Sequence, residues 1–254
     1  MIAQFALRLL CGISLMWCLM PRKDVTSGFF RIQSLVALGL SILAALTVGP
    51  WGSATDPALA FLPVSPTVVC IACAVLAWLG SVFWRIEWRP YGTFVVFAIA
   101  VLSALSLLSI YGLRPASSRA LRFASEFAAA GQLGSAVTAM LLGHWYLTAP
   151  TMSIAPLEKL NLMFGASAVL RLILSAAGFL FAGAMLQSQT HWVWLTLRWC
   201  AGIIAPLILC WMVVRILRYR NTQSATGVLF AAVILVFIGE MTAAMLDREL
   251  QATF

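Results

Sequence analysis

Residues 224–246 read SATGVLFAAVILVFIGEMTAAML, and Glu240 is the only charged side chain in this run. A helix of about 20 apolar residues crosses the ~30 Å hydrocarbon core of a bilayer. Hydrocarbon offers no hydrogen-bond partner to the backbone, so a run of this length without alternating polarity favours a helix over a barrel strand. The stretch therefore predicts a transmembrane α-helix.

The rest of the 254-residue chain repeats this pattern, with 63% hydrophobic and 9% charged residues. Prolines, glycines and charged residues separate the apolar runs, where helix breakers belong. The expected fold is all-α, a polytopic transmembrane helix bundle forming one integral-membrane domain over residues 1–254. About eight spans are predicted, at residues 2–20, 30–48, 66–84, 91–111, 121–146, 157–186, 192–217 and 224–246.

Basic residues are distributed unevenly between alternate loops. One predicted side carries Arg22, Lys23, Arg31, Arg85, Arg89, Lys159, Arg215, Arg218 and Arg220. The other side has only Arg114, Arg119, Arg122 and Arg248. Positive residues stay inside, so both termini are expected to face outward. The net charge of +8 is explained by topology and anionic lipid headgroups, and no nucleic-acid partner is expected. The expected location is the cytoplasmic (inner) membrane of a bacterium.

Five ionic side chains lie several residues inside the ends of the predicted spans: Arg8, Glu126, Arg171, Arg198 and Glu240. A charge at mid-bilayer costs on the order of 2.5 to 3.5 kcal/mol, so these groups must face protein, water or one another. In one interpretation, Arg198 or Arg171 pairs with Glu126 or Glu240 only to set the helix register. In the other, Glu126 and Glu240 line a wet cavity and handle a proton, a cation or a quinol near the outer face.

Spacing places several polar residues on common helix faces. His191 and Arg198 are seven residues apart, and Ser167 and Ser175 flank Arg171 at intervals of four. Residues at these intervals lie on one side of a helix. Small and polar residues in the fifth span indicate close packing against neighbouring helices. Spans five to eight are therefore expected to form the functional core.

A second polar group is predicted at the inner face, where His144, Trp145 and Tyr146 end the fifth span. His144 and Tyr146 have the chemistry to hydrogen-bond a quinone carbonyl or to exchange a proton, and Trp145 to stack on a planar ring. The alternative is that all three are interfacial anchors, since Trp and Tyr are enriched at the ends of spans.

Several chemistries find no support in the sequence. A bis-histidine haem needs two imidazoles at one depth, but His144 and His191 are predicted at opposite surfaces. Cys70 and Cys73 have the spacing of a zinc or redox pair but lack further ligands. No ATPase loop or intramembrane zinc-protease motif occurs. We therefore expect no bound metal and no catalytic residue acting alone; a quinone is the expected ligand.

Two functional hypotheses from different classes follow, with a third beside them. The first is a non-catalytic membrane subunit of an oxidoreductase, which anchors an electron-transfer complex, binds a quinone and contacts other membrane or redox subunits. The second is a secondary transporter or channel, in which the buried Glu and Arg residues line the passage and Pro206 kinks the seventh span. The third is a membrane scaffold or assembly protein.

Overall fold

The computed structural model describes residues 2–48, 65–112, 119–149 and 152–250, and no strand occurs within these ranges. Among the described residues, seven helices are long and apolar enough to cross a membrane, which indicates a multi-pass membrane protein. They are Ile2–Leu19, Ser27–Thr47, Pro66–Arg85, Arg89–Leu108, Ala155–Phe181, Gln189–Leu217 and Thr222–Leu250.

The chain divides into two compact units, Met1–Arg119 and Ala120–Phe254. The first contains α1 (Ile2–Leu19), α2 (Ser27–Thr47), α3 (Pro66–Arg85) and α4 (Arg89–Gly112). Each helix packs on its neighbours in sequence, and α1 also packs on α4, which closes a four-helix arrangement. Gly80 allows α3 to approach both neighbours, since a Cβ atom there would lie 3.1 Å from Val95 and 3.3 Å from the Ser34 hydroxyl.

The second unit contains α5 (Arg119–Trp145), α6 (Ala155–Ala182), α7 (Gln189–Trp199), α8 (Ala205–Leu217) and α9 (Thr222–Leu250). A π-helical segment, Cys200–Ile204, joins α7 to α8. Helix α9 packs on α7 and α8, and α6 packs on α8. Contacts from α5 reach α6 at Gly131 and α9 at Gly143, where an added Cβ would collide with the hydroxyls of Ser167 and Thr226.

A helix lies at each of the eight predicted positions, with ends that differ by a few residues. The fifth is the exception in composition, because α5 is 27 residues long but does not belong to the seven apolar helices. It is rich in Ala, Gly and Ser, and many of its side chains are buried. The count of eight membrane crossings, the orientation of the termini and the single domain stay predictions.

Candidate functional site

A single buried carboxylate, that of Glu240 on α9, receives two guanidinium groups. Arg198 Nη1 on α7 lies 2.9 Å from Glu240 Oε1, and Arg171 Nη2 on α6 binds the same oxygen. All three side chains are almost fully buried, at 4% exposure or less. The cluster thus connects three helices of the second unit at a buried position, where an unpaired charge would carry a large desolvation cost.

Helix α5 joins the cluster through Ser125. Arg171 Nη1 donates to the Ser125 hydroxyl at 2.6 Å and to its backbone carbonyl at 3.2 Å. Both terminal nitrogens of Arg171 are therefore engaged, while its buried Nε atom has no hydrogen-bond partner among the described residues. Glu126 follows Ser125 on α5 and is itself buried. We call Arg171, Arg198, Glu240 and Ser125 the Glu240 cluster.

A close contact between two glycines brings α9 near enough for this pairing. Gly202 lies one turn after Arg198, and Gly239 directly precedes Glu240. A Cβ atom on Gly202 would lie 2.7 Å from the Gly239 Cα atom, a distance that real Cβ atoms do not adopt. A larger side chain at either position is therefore expected to push the two helices apart.

Pro206 explains the unusual backbone beside this contact. Proline has no N–H, so the carbonyl of Gly202, four residues earlier, loses its helical partner. The helix adopts π geometry over Cys200–Ile204, a form that often appears at functional positions. The Gly202 carbonyl instead accepts a hydrogen bond from Gln132 Nε2 on α5 at 2.9 Å, so a side chain of a neighbouring helix satisfies the freed backbone group.

His191, near the start of α7, pairs with Glu249, near the end of α9. Its Nε2 atom lies 2.7 Å from Glu249 Oε2, and the glutamate side chain is half exposed. Three successive contacts, His191 with Glu249, Arg198 with Glu240 and Gly202 with Gly239, show that α7 and α9 run antiparallel. His191 and Arg198 do share a face of α7, as their spacing predicts.

The three residues predicted at the inner face, His144, Trp145 and Tyr146, differ in burial. Tyr146 is buried, and its hydroxyl donates to the Ser153 carbonyl at 2.5 Å, so it fastens the connection between α5 and α6. His144 is exposed and Trp145 is partly buried. The Tyr146 hydroxyl is therefore engaged by a backbone carbonyl of the second unit. The role of His144 and Trp145 in binding a quinone stays a prediction.

The two histidines lie at opposite ends of the second unit. Gly143, next to His144, contacts Thr226 at the start of α9, whereas His191 contacts Glu249 at its end. The 23 residues from Thr226 to Glu249 span about 35 Å at 1.5 Å per residue. The imidazoles thus occupy different levels of the helix bundle.

Two parts of this site, Ser125 and Gly239, are not among the residues predicted from the sequence. Ser125 gave no signal, because its role depends on where α5 places it against Arg171. Gly239 did give one, because small residues in membrane helices allow a neighbouring helix to approach closely.

Comparisons with known proteins add no further site residues. Neither a protein-family model, nor a curated protein, nor a solved structure matches this chain. Within the described residues, no group of three or more His, Cys, Asp or Glu side chains is arranged to hold a metal ion. The Glu240 cluster is therefore the most chemically distinctive part of the described chain.

Proposed function

We propose that the protein is the integral-membrane subunit of a quinone-linked electron-transfer complex in a bacterial cytoplasmic membrane. The observation that carries this proposal is the Glu240 cluster, in which two guanidinium groups converge on one buried carboxylate. Buried ionisable groups within membrane helices are commonly functional. The lipid bilayer and other membrane or redox subunits are the partners that the proposal requires.

The proposal includes eight spans with both termini outside, so α5 must cross the membrane. Its 27 residues extend about 40 Å, enough for a span. Its polar groups find partners within the protein: Ser135 donates to the Gly131 carbonyl of α5 itself, and Gln132 donates to the Gly202 carbonyl of the neighbouring π-helical segment. With α5 as a span, the basic loops fall predominantly on one side, in agreement with the positive-inside rule.

In this function the Glu240 cluster stabilises negative charge that develops on the quinol. Oxidation of a quinol releases two electrons, and two protons that pass to water at the outer face; the oxygen that loses its proton first becomes anionic. Fixed guanidinium groups stabilise such a developing negative charge in a low-dielectric site. Glu240 holds Arg171 and Arg198 in position and offsets part of their charge. The electrons pass to a partner subunit that carries a haem or an iron–sulfur cluster.

The test is purification of the tagged full-length chain from its source organism in a mild detergent. Co-purifying chains are identified by mass spectrometry, and extracted lipids are analysed for quinones. A bound quinone together with redox subunits is the expected result. A solitary chain without quinone contradicts the proposal, and partners without quinone indicate a scaffold instead.

A transporter or channel is the second candidate, and the interrupted helix favours it. The π-helical segment Cys200–Ile204 followed by Pro206 resembles the broken helices of transporters, which are usually paired in symmetric positions. In the first unit, the described helices Ser27–Thr47 and Pro66–Arg85 are continuous. Solute or proton uptake by vesicles containing only this chain, in the absence of bound quinone, supports this candidate over the first.

A further inference from the structure

One face of α6 carries polar and aromatic groups beyond the Glu240 cluster. Arg171, Ser175 and Phe179 follow one another at intervals of four residues and so lie on one side of the helix. Arg171 and Ser175 are almost fully buried, at 3% and 2% exposure. Arg171 Nε and the Ser175 hydroxyl both have no hydrogen-bond partner among the described residues. Two donors on adjacent turns thus have no protein acceptor.

Ser175 differs in this respect from other serines in the described helices. The hydroxyls of Ser34, Ser41, Ser103 and Ser135 each donate to the carbonyl four residues earlier. This local bond is the usual way for a helical serine to satisfy its hydroxyl in an apolar environment. A buried polar group that does not make it requires another partner.

Aromatic rings surround the next turn of the same face. The Phe179 ring makes edge contacts with the rings of Trp199 and Trp192, at centroid distances of 6.5 Å and 6.4 Å. Trp199 follows Arg198 in sequence, and its buried indole Nε1 has no hydrogen-bond partner among the described residues. Donors and aromatic rings of α6 and α7 therefore occur together beside the Glu240 cluster.

We propose that this face of α6, with Trp199 of α7, binds the headgroup of a quinone. One quinone carbonyl accepts hydrogen bonds from Arg171 Nε–H and the Ser175 hydroxyl, and the other accepts one from the indole N–H of Trp199, while the ring packs against Phe179. A quinone carbonyl oxygen accepts hydrogen bonds, so it suits a site whose donors have no protein acceptor. Its planar ring suits a site lined by aromatic side chains. This inference rests on the proposed function and specifies where its ligand binds.

The experiment titrates the purified full-length protein with a short-chain benzoquinone and with the corresponding naphthoquinone. Ser175→Ala removes one donor, and Trp199→Phe removes the indole N–H but keeps an aromatic ring. Each change is expected to weaken binding about 3- to 10-fold, the equivalent of one lost hydrogen bond. The controls, Ser41→Ala and Trp17→Phe, make the same changes at buried residues of the first unit and are expected to leave the affinity within about 2-fold of the wild-type value.

Infrared difference spectra of the bound quinone provide a second readout. A hydrogen-bonded carbonyl absorbs at lower frequency, so the band is expected to move upward in Ser175→Ala and to stay in place in Ser41→Ala. If the wild type binds quinone but neither the affinity nor the band changes in the two variants, the assigned site is wrong and the proposed function stands. If the wild type binds neither quinone, the proposed function fails, and the site fails with it. Unfolding midpoints of all four variants separate loss of binding from loss of folding.

Discussion

Replacing Glu240 by glutamine tests the energetics of the Glu240 cluster. The change preserves size and removes the charge that faces Arg171 and Arg198. Opposite unit charges about 4 Å apart attract by about 4 kcal/mol at an effective dielectric of about 20. Breaking a buried pair by removing one partner costs about 3 to 5 kcal/mol, because an uncompensated charge remains. Since two guanidinium groups lose their counter-charge, we expect Glu240→Gln to lower the free energy of unfolding by an amount in this range.

The same substitution nine residues later is the matched control. Glu249 pairs with His191 and its side chain is half exposed; such a pair contributes about 0 to 1 kcal/mol. Reversible unfolding in mixed micelles with increasing denaturing detergent, followed by tryptophan fluorescence, gives the difference in free energy of unfolding. We expect Glu240→Gln to be at least about 2 kcal/mol more destabilising than Glu249→Gln.

A double variant separates charge from shape. Adding Arg198→Met to Glu240→Gln removes one of the two uncompensated guanidinium groups, so the double variant is expected to be more stable than Glu240→Gln alone. Equal free energies of unfolding for Glu240→Gln and Glu249→Gln would contradict a buried charge pairing, as would a double variant that is less stable than Glu240→Gln alone.

Two further predictions concern packing and the α5–α6 connection. Gly239→Ala is expected to lower the free energy of unfolding by about 1 to 3 kcal/mol, because the new methyl group overlaps Gly202. The control is Gly227→Ala on the same helix, where no atom lies within 4 Å of the Cβ position, and it is expected to change stability by at most about 1 kcal/mol. Equal effects of the two variants in the same unfolding assay would contradict the contact. Tyr146→Phe is expected to cost about 0.5 to 1.5 kcal/mol through loss of the bond to Ser153, and an unchanged unfolding midpoint would show that this bond does not hold the connection.

The helices themselves were largely predictable, because an apolar run in lipid satisfies its backbone hydrogen bonds within the segment when it forms an α-helix. The ends of α1, Ile2–Leu19, and of α3, Pro66–Arg85, lie within one residue of the predicted spans. The interruption of the seventh predicted span was predicted only as a kink at Pro206. The observed π-helical segment, Cys200–Ile204, depends on Gln132 of a neighbouring helix, which no local pattern reveals.

The Glu240 cluster was predictable in composition but not in pairing. Depth within the spans indicated that buried arginines and glutamates face one another, yet two carboxylates were open to them. Both Arg171 and Arg198 pair with Glu240, and the glycine contact that brings α9 against the end of α7 places Glu240 beside Arg198. Such a choice depends on the rotation of helices about their axes, and single-residue spacing does not encode it.

The most direct measurement is a cryo-electron microscopy structure of the full-length chain in a lipid nanodisc. The guanidinium groups of Arg171 and Arg198 are both expected to contact Glu240 at a level inside the acyl-chain region. Density that shows either arginine directed singly at acyl chains, or Glu240 in the aqueous phase, would contradict this arrangement.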